Sequence, residues 1–124
     1  MNIAIAGAGY VGLVTGVCMA SKGHQVTCVD VDTAKIAMLQ RGKSPIYEDG
    51  LEELMQANAQ RLTYTTDYFA AYKNAEIIFI CVSTPEKKDG SANLSYVFEV
   101  ARQIAQSVER DCIVAVKSTV PIGT

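Results

Sequence analysis

NIAIAGAGYVGLVTGVCMASKGHQVTCVDVD, residues 2–32, is the stretch whose reading decides the fold. Asn2 to Ala6 is a short apolar run of strand length. Gly7, Gly9 and Gly12 follow at once in the spacing G-x-G-x-x-G, and Tyr10 to Ser21 reads as a helix closed by Gly23. Gln25 to Asp30 is a second apolar strand. Each glycine then has its own physical reason: Gly7 permits the tight turn, Gly9 lets a pyrophosphate approach the backbone, and Gly12 lets helix and strand pack closely. A helix starting there offers free N–H groups and a positive dipole end to phosphates. Asp30 closes the second strand, 18 positions beyond Gly12, where a carboxylate can accept from a ribose diol and would repel a 2′-phosphate. That predicts NAD rather than NADP as cofactor. Lys35 can reach the same ribose, pair with Asp30 or Asp32, or stand solvated in the next helix. His24, after the helix-closing glycine, reads as a surface turn residue.

Outward from this unit, strand and helix signals keep alternating. Asp32 can cap a helix over Thr33 to Arg41 that carries Ile36 and Leu39 inward, and Gly42 stops it. After a loop through Pro45, Gly50 to Ala59 reads as a short helix with Leu51, Leu54 and Met55 on one face. Leu62 to Thr65 is a weak strand, and Asp67 can cap a helical turn through Tyr72. Glu76 to Val82 and Cys112 to Val116 are near-continuous apolar runs rich in β-branched residues, the pattern of parallel strands covered on both faces. Between them a helix from Leu94 to Val108, capped by Asn93 or Ser95, carries Val97, Val100, Ala101, Ile104 and Ala105 as an apolar stripe. Such alternation with right-handed crossovers predicts an α/β, Rossmann-type, doubly wound parallel sheet of strand order 3-2-1-4-5.

Composition narrows the function. A length of 124 residues, 49% of them hydrophobic, suits one domain with one core and leaves little room for a second, substrate-holding module. A net charge of −2 provides no basic surface for nucleic acid. Cys18, Cys28, Cys81 and Cys112 form no CxxC pair and have no nearby His, so no metal site is expected. They read as buried reduced thiols in a cytoplasmic protein. Ile3 to Ala20 is free of charge and holds Gly12 and Gly16 in GxxxG spacing, but Gly7 and Gly9 interrupt it and no Lys or Arg precedes it, so no membrane segment is expected.

GAGYVGLVTG (7–16), KGHQVTCVDVD (22–32), Lys35 with Ile36, PIYEDGLEEL (45–54), CVSTP (81–85), DGSANLSYV (89–97) and KSTVPIGT (117–124) together resemble the N-terminal NAD-binding domain of the UDP-glucose/GDP-mannose dehydrogenases. DGSANLSYV is most similar to the UDP-glucose 6-dehydrogenase branch. The resemblance implies oxidation of a UDP-sugar C6 alcohol to a carboxylate in two NAD-dependent steps through a covalent thio-intermediate. It implies NAD contacts at Val11, Asp30, Lys35, Thr84 and Thr119, with Thr119 also near the reacting centre. Thr84 and Thr119 follow the fourth and fifth strands, where open α/β sheets hold ligands, although Thr84 with Ser83 can instead close a turn and Thr119 can cap a helix. Tyr10 belongs beside the cofactor phosphates or in the core. Asn93 and Glu76 stand where the family often has Asp, a change that keeps a capping or solvated role.

The family's nucleophilic cysteine, its lysine and asparagine partners, the central helix and the substrate domain all lie beyond the last motif, so residues 1–124 are expected to be an NAD-binding domain truncated before the sixth strand. Alone it is expected to be inactive, with its fifth strand an apolar edge that favours a homo-oligomer. The alternatives are another NAD-dependent dehydrogenase of the 3-hydroxyacyl-CoA type and a stand-alone NAD-sensing module.

Overall fold

In the computed structural model, which describes residues 1–124, strand β1 (Asn2–Ala6) is the centre of the molecule. It pairs in parallel with β2 (Gln25–Val29) on one side and β4 (Ile77–Ile80) on the other. Strands β3 (Leu62–Thr65) and β5 (Ile113–Val116) complete a parallel sheet of order β3-β2-β1-β4-β5, as expected. The helices are α1 (Tyr10–Ser21), α2 (Thr33–Gln40), α3 (Leu51–Ala57), α4 (Tyr68–Lys73) and α5 (Ser95–Ser107), with a 3₁₀ turn at Ala59–Arg61.

The pleat of β1 sorts two cores. Ile3 and Ile5 face α1, α2 and α3, meeting Leu13, Val17, Leu39 and Met55. Ala4 and Ala6 face α4 and α5, meeting Tyr72, Val97, Val100 and Ile104. Fully burying one such aliphatic side chain stabilises the fold by about 1.5–3 kcal/mol. Asp32 and Asp67 cap α2 and α4 through bonds from Lys35 N and Ala70 N. Gly23 follows α1 with φ +98°, which a β-carbon would strain.

Several details depart from the sequence reading. Leu54 is 43% exposed, because α3 turns only Leu51 and Met55 inward and ends at Ala57. Ala101 and Ala105 are exposed; the buried face of α5 is Val97, Val100, Ile104 and Ser107, a narrower stripe whose polar member donates to Gln103 O at 2.7 Å. Neither Asn93 nor Ser95 caps α5: Leu94 stands there, and the Asn93 side chain accepts from Ser95 N one residue inward. Cys18 is exposed on the outer side of α1 and Cys112 is half-buried, so only Cys28 and Cys81 are buried thiols; all four are free. Strand β5 is not covered: Ile113, Val114 and Val116 are exposed, because β5 packs mainly on its neighbour β4, whereas the other edge strand, β3, also meets α1 and α2 and buries Leu62 and Tyr64. No helix is long and apolar enough to cross a membrane.

Candidate dinucleotide site

Where β1 ends the chain must turn sharply to start α1, and three backbone positions carry that turn. Gly7 has φ +100° and donates to Val29 O at 2.8 Å; a β-carbon there would stand 2.8 Å from the Cys81 carbonyl oxygen. A β-carbon at Gly12 would lie 1.8 Å from the Gly7 carbonyl oxygen, so the first turn of α1 rests directly on the loop. Gly9 is different: nothing lies within 4 Å of its β-carbon position. That residue caps α1 without a side-chain bond, and the first turn holds no acid, which leaves the helix's opening N–H groups unpartnered and its positive end uncompensated.

This open floor belongs to a cleft of about 550 Å³ at the C-terminal ends of the strands. Gly7, Gly9, Tyr10, Val11, Asp30, Lys35, Thr84 and Thr119 all line it, so every candidate residue except Gly12 is brought together there; Gly12 lies beneath, in the packing of α1 on the turn. Val31, Ser83, Tyr96, Lys117 and Ser118 also line the cleft; each lies within a motif quoted above, but none was assigned a cofactor contact there. Position alone marks Val31 and Lys117, each just past a strand end. Ser118 ties the loops after β4 and β5 by donating to Val82 O at 2.7 Å. A smaller apolar pocket of about 120 Å³, walled by Val31, Tyr72, Val82, Tyr96 and Val100, opens behind Asp30.

Asp30 is the most strongly held side chain of the cleft, with 12% exposure. Its Oδ2 accepts from Ala8 N at 2.9 Å and from Lys35 Nζ at 3.3 Å, and its Oδ1 accepts from Asp32 N at 3.0 Å. Burial pushes its carboxyl upward, but the bonds from the Asp32 and Ala8 amides and the Lys35 ammonium outweigh burial and hold it below the usual carboxylate range. Of the arrangements open to Lys35, the structure shows the pair with Asp30, while Asp32 takes the Lys35 backbone N–H. Tyr10 is 55% exposed and thus not a core residue. Its hydroxyl donates to Glu48 Oε2 at 3.0 Å, a bond that raises the tyrosine's pKa. Glu48, 38 residues away in sequence, gave no sign of this role. Thr84 is half-buried and Thr119 exposed, facing the cleft from the loops after β4 and β5. His24 sits at a turn, its Nδ1 3.2 Å from the N-terminal amine and far from the chemistry of the cleft.

The family described as UDP-glucose/GDP-mannose dehydrogenase, NAD binding domain, matches residues 1–124. The chain belongs to this dehydrogenase family. It is its NAD-binding domain, and NAD is its cofactor. Over its full length the chain is 52% identical to UDP-glucose 6-dehydrogenase YwqF of Bacillus subtilis and 49% identical to UDP-glucose 6-dehydrogenase of Pseudomonas aeruginosa. It spans 29% and 28% of those two dehydrogenases. A crystal structure of GDP-mannose dehydrogenase from Pseudomonas aeruginosa superposes on the whole chain with a TM-score of 0.95 at 44% identity, the chain covering 30% of it. Membership in this family sets aside the 3-hydroxyacyl-CoA alternative.

Proposed function

We propose that residues 1–124 are the NAD-holding unit of an enzyme that oxidises the C6 alcohol of a UDP-sugar, UDP-glucose foremost, to a carboxylate in two NAD-dependent steps. The relatives named for UDP-glucose support the substrate. The open floor over Gly9, at the foot of an uncapped helix and beside the Asp30 carboxylate, is the observation that carries the cofactor site. The residues present fit the dinucleotide: the N–H groups opening α1 would hold the pyrophosphate over Gly9, with Tyr10 and Val11 as walls. Asp30 and Lys35 hold the adenosine ribose, and Thr84 and Thr119 frame the other end. When bound, NAD supplies a hydride acceptor. Thr119 is exposed and lines the cleft beside Ser118, and in this reading it would face the sugar.

The groups that hold and attack the sugar lie outside residues 1–124 in this reading, so proximity and covalent catalysis are both lacking and the chain alone does not turn over UDP-glucose. Four free thiols support a reducing, cytoplasmic setting. The exposed apolar row of β5 supports self-association. Calorimetry tests the cofactor site: NAD should bind at least about tenfold more tightly than NADP. Equal affinities would overturn the assignment to Asp30.

A further inference from the structure

Three donors converge on the side chain of residue 30. Two are backbone groups, the amides of Ala8 and Asp32, at 2.9 and 3.0 Å. The third is the ammonium of Lys35 at 3.3 Å, only 27% exposed. A carboxylate offers about four acceptor positions. Three are already taken here, leaving one for a ribose hydroxyl. The carboxylate is therefore less an open reader of the sugar than the resident anion of a cradle. Two of its donors are main chain and do not depend on the carboxylate, and the third springs from the first turn of α2, where the bond from Lys35 N to Asp32 Oδ1 at 3.1 Å fixes the backbone that carries the ammonium. The N-terminus of α2 adds its dipole at the same place. Asp32, an acid at the same corner, has its Oδ1 engaged in capping α2.

We propose that Lys35 and the amides of Ala8 and Asp32 form a latent phosphate cradle, and that Asp30 selects the cofactor by filling it with its own charge. The inference rests on the dinucleotide reading of the cleft. Its consequence is that shortening and neutralising residue 30 does more than erode a preference for NAD. It exposes donors matched to a 2′-phosphate and turns the chain towards NADP, with Lys35 as the residue that decides the outcome.

The test is a cycle of four proteins, unaltered, Asp30→Ser, Lys35→Met and the double variant, titrated with NAD and NADP, with inorganic phosphate followed by phosphorus NMR as a probe independent of the dinucleotide. Asp30→Asn, which keeps the side-chain volume, and circular dichroism of every variant separate lost binding from lost fold. Asp30→Ser should raise NADP affinity by about ten- to a hundredfold over the unaltered chain, the range of a charge-assisted contact. It should also bring inorganic phosphate into slow or broadened exchange, and Lys35→Met in the same background should remove both gains. A gain that persists without Lys35, or no gain in a folded Asp30→Ser protein, would overturn the proposal while leaving NAD binding by the unaltered chain intact. Failure of the unaltered chain to bind NAD at all would overturn the dinucleotide reading, and the selector with it.

Discussion

Beyond Asn2, strand β1 is composed of small and branched apolar residues, as is β5, yet the two lie in opposite surroundings. In β1, Ile3, Ala4, Ile5 and Ala6 are all buried, with helices over both faces and a strand on each side. In β5, Ile113 is 64% exposed, and only one edge is paired. Apolar content makes a strand; position in the sheet decides how much of it the fold uses. The same contrast divides the cleft. Its β1 end is built from backbone turns and a triply bonded carboxylate, whereas its β5 end presents Thr119 from an exposed loop.

The sharpest way to break this comparison is to enlarge the β1 end. Gly12→Val places side-chain carbon on the Gly7 carbonyl, and the expected cost is about 3 kcal/mol or more, read as loss of cooperative denaturant unfolding. Truncation within the two strands should separate them next. Ile5→Ala should lower stability by about 2–5 kcal/mol, and Ile113→Ala by no more than about 0.5 kcal/mol. Similar losses at both sites would mean that β5 is covered in solution.

A smaller effect concerns pH. Because the folded pKa of Asp30 is depressed, its contribution to stability is complete above the ordinary aspartate value of about 3.9 and is lost as pH falls through the lower folded value. Thermal unfolding of the unaltered chain should therefore fall faster than that of Asp30→Asn across this acidic window, and parallel curves would count against the donor cradle. The smallest change in stability is expected for Val114→Lys on the exposed face of β5. At concentrations where the chain is monomeric it should leave the melting temperature unchanged, while at higher concentrations it should shift sedimentation towards the monomer.

The order of the sheet was legible because its determinants are local: a glycine turn between strand and helix, aspartates that cap α2 and α4, and uninterrupted apolar runs. Gly7, Gly9, Gly12 and Asp30 were legible for a related reason, since each answers a steric or charge demand that no other residue type meets as well. What escaped depends on geometry between distant segments. Leu54 shares the helical spacing of Leu51 and Met55, but only the latter two are buried where α3 packs, and which side of a short helix meets the core is set by tertiary contact rather than spacing. Ala101 and Ala105 fit an apolar stripe, though only Val97, Val100 and Ile104 turn into the core that α5 shares with α4 and the sheet. The Tyr10 to Glu48 bond joins the helix start to a loop that no periodicity describes.

Two glycines three residues apart answer to separate demands. A library selected only for soluble, folded protein should accept many side chains at position 9, where nothing lies within 4 Å, and reject nearly all at position 12. Passing the survivors over immobilised NAD should then strip position 9 back to glycine and leave position 12 as it was. Of the three signature glycines, Gly7 and Gly12 thus answer to architecture and Gly9 to the guest, and a chain that had given up its cofactor would betray it first at Gly9.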